Sequence, residues 1–312
     1  MYAQLVLRLA AIAGLVLGAG CNSTSMERQL SVNAGQPTTQ PPPAASSNLS
    51  QGCLPAASFE DPDVRRNIAR LGGARFCLSR DNFAEGGFNW DFTIIRNQTR
   101  PVGPLWVVTH DDEDAAFDTA VYGVQRYGGV VVAMNNAENR TNAGQDPNRS
   151  FGGANKSASC RQQRAASPLF TARVLQLRPS GAPIIALHTN DNGYDGDGKG
   201  GSGTISVNRT SSVLTPFPAT QASPLADEDN VLLLAGSEPA PGSAAAKALT
   251  AKMTQASGVN VIYEHVTAAS NDCSLSNHVV LDNLGAYYNI EVEHGRGVEQ
   301  QKILDILMGS LR

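Results

Sequence analysis

The sequence predicts an α/β domain, on three observations. Short apolar runs of strand length recur from Leu105 onward, stretches of helical periodicity separate them, and paired glycines stop a helix just before the next strand begins. Leu105–Thr109 opens the pattern as a buried strand. Ala116, Phe117, Ala120, Val121 and Val124 then recur at helical spacing, and Gly128-Gly129 ends that helix before the strand Val130–Met134, which makes a strand–helix–strand unit. Ile184–Leu187, Val231–Ala235, Asn260–Glu264 and Tyr288–Glu293 read as further strands, and Ser243–Gln255 as an Ala-rich helix. The stripe Val298, Ile303, Ile306, Leu307, Leu311 fits a C-terminal helix packed on the sheet.

The N-terminus has a separate character. Arg8, the apolar run Leu9–Leu17 and then Gly18-Ala19-Gly20-Cys21 have the length of a signal peptide, not of a membrane span. The segment resembles a bacterial lipoprotein signal, in which Cys21 would be lipidated and anchor the chain to a membrane. Gly18 stands where such signals usually carry Leu, and plain cleavage after Gly20 is the alternative. Residues 22–52 are rich in Ser, Thr, Asn, Gln, Gly and Pro and poor in large apolar side chains, so they read as a disordered tether. The expected organisation is a signal peptide over 1–21, a linker over 22–52 and a catalytic domain over 53–312, exported to the periplasm or cell surface.

Composition narrows the function. With 41% hydrophobic and 17% charged residues over 312 positions the chain can bury a substantial core. Its net charge of -4 offers no basic footprint for phosphates, which excludes nucleic acid as a partner. Cys53, Cys77, Cys160 and Cys273 form an even set outside any CxxC spacing; in an oxidising compartment they point to disulfides with three possible pairings. The loop Asp191–Gly203 holds six glycines and several acidic residues but lacks the terminal Glu of an EF-hand, so an exposed rim loop is expected rather than a calcium site.

The residues that carry chemistry lie where strands end. In Val108-Thr109-His110-Asp111-Asp112-Glu113 a strand delivers a His and, one turn later, a Glu at a helix opening, so that an imidazole nitrogen and a carboxylate can converge on one cation. Taken alone, that pair fits a helix cap with a favourable dipole better than a metal site, and more ligands are needed. Ile184-Ile185-Ala186-Leu187-His188-Thr189-Asn190 ends a second buried strand in His, and two His plus a carboxylate make a catalytic zinc set with an open fourth position. On Ile290-Glu291-Val292-Glu293, strand alternation puts both glutamates on one face, and only one can serve the metal site.

The order HxxE, Arg140, Asp146-Pro147-Asn148-Arg149-Ser150-Phe151, Leu187-His188-Thr189-Asn190 and Ile290-Glu291-Val292 resembles the zinc carboxypeptidase superfamily, particularly its succinylglutamate desuccinylase and aspartoacylase branch. The resemblance covers roughly 105–295. It implies a three-layer fold with a mixed, mostly parallel central sheet and helices on both faces. It implies one Zn2+ on His110, Glu113 and His188, a substrate carboxylate on Asn148 and Arg149, an oxyanion met by Arg140, and Glu291 as the base, with Glu293 second. The substrate would be a small peptide, such as a cell-wall peptide, or an N-acyl amino acid. A non-catalytic lipoprotein that binds carboxylates through Arg149 is the reading from outside enzymology. Two features depart from the pattern: Ala186 stands where relatives commonly have Asp, and no one of Tyr194, Tyr263, Tyr287 and Tyr288 can be singled out as a substrate-contacting tyrosine.

Overall fold

The computed structural model describes residues 52–153, 160 and 167–312. Cys21 and the expected signal and tether up to residue 51 lie outside the described residues. Nine strands form one sheet in the order β1-β2-β4-β3-β5-β9-β7-β8-β6. They are β1 Phe76–Glu85, β2 Phe88–Asn97, β3 Leu105–Val108, β4 Val130–Met134, β5 Ile184–Asn190, β6 Leu214–Phe217, β7 Val231–Gly236, β8 Asn260–His265 and β9 Tyr287–Glu293. β3 pairs in parallel with β4 and β5, β5 with β9, and β7 with β8, whereas β1/β2, β2/β4, β7/β9 and β6/β8 are antiparallel.

Alternation along the strands sends side chains into two cores, one on each face. Trp106, Val108, Ile185, Leu187, Ile290 and Val292 pack against Phe117, Val121 and Val124 of helix α3 (Asp114–Tyr127) and Ile303, Leu304 and Leu307 of helix α7 (Gly297–Ser310). On the other face Leu105, Val107, Ile184, Ala186 and Leu233 pack against Phe170 and Val174 of α4 (Pro168–Leu175) and Leu275 and Val279 of α6 (Leu275–Leu281). The expected three-layer arrangement is therefore present. Two short helices, α1 (Pro62–Arg66) and α2 (Ile68–Leu71), precede β1, and α5 (Ala244–Ala251) continues as a wider turn over Lys252–Ala256.

Local chemistry accounts for the strand–helix–strand unit that sets up the site. α3 ends at Gly128, whose φ of 83° suits glycine and whose carbonyl accepts from the buried Trp106 Nε1 at 2.9 Å. A Cβ on Gly129 would lie 2.0 Å from the Pro104 carbonyl, so the close approach of the two loops requires that glycine. The cysteines pair as Cys53–Cys77 and Cys160–Cys273, which resolves the three alternatives and fits an oxidising compartment. No helix among the described residues is long and apolar enough to cross a membrane.

Candidate metal centre

His110 leaves the C-terminal end of β3, Glu113 stands at the N-cap of α3, and His188 lies within β5, directly beside β3. All three are buried, and one ligand atom from each falls within 4.8 Å of the others. His110 Nδ1 lies 2.8 Å from Glu113 Oε1, and His188 Nδ1 lies 3.0 Å from Glu113 Oε2. The Thr189 backbone N–H also donates to Glu113 Oε2, at 3.1 Å. Two imidazole nitrogens and one carboxylate facing a common point are a donor set that fits a divalent metal ion. Among the described residues this is the one His/Cys/Asp/Glu group with that geometry; the acidic residues of the Asp191–Gly203 loop do not converge in this way.

The charges are consistent with ligation. Burial alone would raise the Glu113 carboxyl, but His188 and His110 hold it far below the usual carboxylate range. Burial alone would lower His110, yet hydrogen bonds to Asp146 and Glu113 raise its imidazolium to about 9. Asp146 Oδ1 accepts from His110 Nε2 at 2.8 Å, and that contact holds Asp146 near 2 against the effect of its burial. A carboxylate on Nε2 fixes the tautomer that turns the Nδ1 lone pair toward the metal position. In the sequence Asp146 is visible only as part of the Asp-Pro-Asn-Arg motif, with no role of its own; the structure makes it the residue that orients His110. Among the described residues His188 has only a long 3.5 Å contact to Thr109 Oγ1 on its Nε2; Ala186 is packed in the core and supplies nothing.

The remaining residues gather around a cavity of about 420 Å³ on the α6 face of the sheet. His110, His188, Arg140, Asn148, Arg149 and Glu291 all line it. Glu291 is opposite His188 in the β5–β9 register, is buried, and accepts from Asn289 Nδ2 at 2.9 Å. Burial raises its carboxyl above the ordinary range. Glu293 lies farther along β9, paired with Arg296 at 3.2 Å, and His294 Nδ1 lies 2.7 Å from Thr189 Oγ1; both are rim contacts. Arg140 NH1 donates to Glu113 Oε1 at 2.8 Å. Its loop is held by Asp111, whose Oδ2 accepts the Asn136 and Glu138 N–H groups at 2.7 Å each. Nothing local in the sequence marks Asp111 for this role, because its partners lie 25 and 27 residues away.

Asn148 and Arg149 sit in a single 3₁₀ turn that Asp146 caps through the Asn148 N–H at 2.8 Å. Asn148 Oδ1 accepts from Leu275 N at 3.3 Å, and Arg149 Nε lies 3.3 Å from Asp272 Oδ2. Of the four tyrosines, Tyr287 lines the cavity. Tyr263 instead donates to the Glu238 carbonyl, and Tyr288 packs against the opposite core.

No protein-family model matches the chain, and no curated protein does. Solved structures do. A metallo-carboxypeptidase from Burkholderia cenocepacia matches at 13% identity over 81% of this chain and 69% of that one, with a TM-score of 0.43. A metallo-carboxypeptidase from Pseudomonas aeruginosa, in complex with (2-guanidinoethylmercapto)succinic acid, matches at 15% identity over 80% and 68%, with a TM-score of 0.40. The LapA aminopeptidase of Legionella pneumophila matches at 6% identity over 81% and 62%, with a TM-score of 0.38.

Proposed function

We propose that the protein is an exported zinc hydrolase of the carboxypeptidase type, cleaving an amide bond in a small carboxylate-bearing substrate. One observation carries this reading: the His110, Glu113, His188 donor set and Glu291 meet at one end of a cavity that also holds Arg140 and Arg149. The cavity volume of about 420 Å³ suits a short peptide or an acylated amino acid, not a folded protein chain. A zinc ion held by His110, Glu113 and His188 would supply Lewis acidity toward the scissile carbonyl and a more acidic water. Glu291 takes a proton from the attacking water and passes it to the leaving nitrogen; its buried carboxyl has the raised affinity for protons that such a shuttle needs. Arg140 meets the negative charge that develops on the carbonyl oxygen. Arg149, with Asn148 beside it, receives the substrate carboxylate and fixes which bond lies at the metal. In the cell, lipidation of Cys21 would tether this domain to a membrane, where a cell-wall peptide is an accessible substrate.

Metal content tests the centre. The purified chain is expected to bind about one zinc and a variant with His110→Ala and His188→Ala none. In a screen of N-acyl dipeptides and N-acyl amino acids, Glu291→Gln is expected to keep the metal and lose turnover by ~10²-fold or more. Absence of zinc from the reconstituted parent would refute the hydrolase.

A further inference from the structure

Exposed arginines gather at the carboxyl end of α3, beside the amino ends of β3 and β4. Arg75 donates to the Gln125 carbonyl and Arg100 NH1 to the Arg126 carbonyl at 2.7 Å, both in the last turn of the helix, and Arg126 projects from that turn itself. Arg312 adds a fourth guanidinium, 5.5 Å from the centre of the Tyr127 ring. Capping of helix carbonyls by a cation accounts for one such side chain, not for a group of this size. Each guanidinium has five N–H donors, and these contacts occupy few of them. Asp305, 3.5 Å from Arg126 Nε, is the one carboxylate paired with the group among the described residues.

Two bare apolar side chains share that place. Val102, in the loop that joins β2 to β3, is 79% exposed, and Leu311, next to Arg312, is 38% exposed. The loop of Val102 lies against the helix end: a Cβ on Gly128 would fall 2.5 Å from the Arg100 carbonyl and 3.1 Å from that of Val102.

The opposite end of the sheet is rich in exposed acids. Asp112, Asp191, Asp195 and Asp227 lie on loops at the carboxyl ends of β3 and β5 and the amino end of β7, the end that carries His110 and His188. His110 is five residues beyond Leu105, where β3 starts, which is ~16 Å at the usual rise per residue. The net charge of -4 thus conceals a basic pole and an acidic one, because the fold collects arginines scattered between positions 75 and 312.

We infer that the basic pole docks on an anionic lipid bilayer, its arginines on the headgroup phosphates and Val102 and Leu311 in the headgroup layer, so that the end carrying the metal centre points away from the membrane. The inference goes beyond the hydrolase reading and requires neither that reading nor lipidation of Cys21. Guanidinium groups match phosphate oxygens, and bare apolar side chains among them suit the boundary between headgroups and acyl chains. A soluble polyanion would use the arginines but give Val102 and Leu311 nothing to enter. The two disulfides place the domain in an oxidising compartment, where bilayer headgroups are at hand and nucleic acid is not.

The test measures, by co-sedimentation, binding of the full chain carrying Cys21→Ser, which cannot be lipidated, to vesicles of phosphatidylcholine and of phosphatidylcholine mixed equally with phosphatidylglycerol. Whatever the N-terminal segment contributes is shared by every variant built on that chain. The mixed vesicles are expected to bind ~100-fold more tightly, ~5-fold for each of three arginines, and ~1 M salt should abolish the difference. Arg75→Gln, Arg100→Gln and Arg126→Gln together should remove most of it. Val102→Glu, at a side chain too exposed to matter for folding, should weaken binding to mixed vesicles ~10-fold. A polarity-sensitive dye on Val102→Cys should shift to the blue on mixed vesicles, and one on Asn208→Cys, beside Arg209 of the cavity, should not. Equal binding to the two vesicle types overturns the inference, as does a Val102→Glu variant that keeps the parent preference. Binding to polyphosphate as tight as to mixed vesicles, with the dye at position 102 unshifted on the vesicles, overturns it in favour of a soluble polyanion.

Discussion

Raising the pH from 7 to 9 should tighten metal binding by ~50-fold, and the size of that effect follows from His110. In the metal-free chain its ring is bracketed by two carboxylates, Asp146 on Nε2 and Glu113 on Nδ1, each at 2.8 Å. The imidazolium is thereby raised to about 9, although burial opposes it. A metal needs the Nδ1 lone pair, so it must displace that proton. With a single competing proton the apparent association constant is reduced ~100-fold at pH 7 and ~2-fold at pH 9, which gives the ratio stated. About one proton should leave per metal bound at pH 7 and about half a proton at pH 9. Competition against a chelator of known pH dependence measures the affinity, and calorimetry in two buffers of different ionisation enthalpy counts the protons. An affinity flat between pH 7 and 9, with no proton released at pH 7, would refute the assignment of His110 Nδ1 as a ligand.

Further expectations follow from the same geometry. Because the folded-state value of His110 lies above the ordinary imidazole value, the stabilisation it provides to the metal-free chain is complete below about pH 6.5. It is lost as pH rises through about 9, by ~3 kcal/mol, which urea denaturation in a chelating buffer would detect. Gln300 of α7 is fully buried and its Nε2 donates to the His188 carbonyl at 2.8 Å and the Ile290 carbonyl at 3.1 Å. Gln300→Ala should cost ~2–4 kcal/mol of stability and loosen the metal, since it removes two buried hydrogen bonds that tie α7 to β5 and β9; denaturation and zinc titration check both. Arg149→Ala is expected to raise KM by ~10-fold or more, whereas Arg140→Ala should act mainly on kcat, because only the second faces charge that appears during the reaction; steady-state kinetics on one substrate separates the two.

The inner strands of the sheet are legible in the sequence because they are buried on both faces and so appear as unbroken apolar runs. Val130–Met134 is a strand over all of its expected residues, and Val231–Gly236 and Asn260–His265 each extend the expected run by one. The hairpin of β1 and β2 is not legible in that way, since β1 mixes buried, half-buried and exposed positions and carries Arg80, Asp81, Asn82 and Glu85. Its available signal is the pair Gly86-Gly87 between Phe83 and the alternating Phe88, Trp90 and Phe92. α4 and α6, at 8 and 7 residues, are too short for periodicity to reveal.

The candidate site divides along the same line between local and long-range information. His110 and Glu113 are one turn apart, so spacing allows them to converge, and it takes His188 to distinguish a metal site from a helix cap. His188 and Glu291 are more than a hundred residues apart, and what makes them neighbours is the parallel register of β5 on β9, in which each is the other's direct partner. A slip of one residue in that register would turn Glu291 to the α7 face and bring Ile290 or Val292 to the cavity. The hydrophobic alternation forbids it: Ile290 and Val292 fill the α3/α7 core together with Leu187. Thus the position of the acid beside the histidine is enforced by the burial of its apolar neighbours. A substitution of Ile290 by a polar residue should therefore disturb metal binding and turnover as well as stability, although no atom of Ile290 lines the cavity.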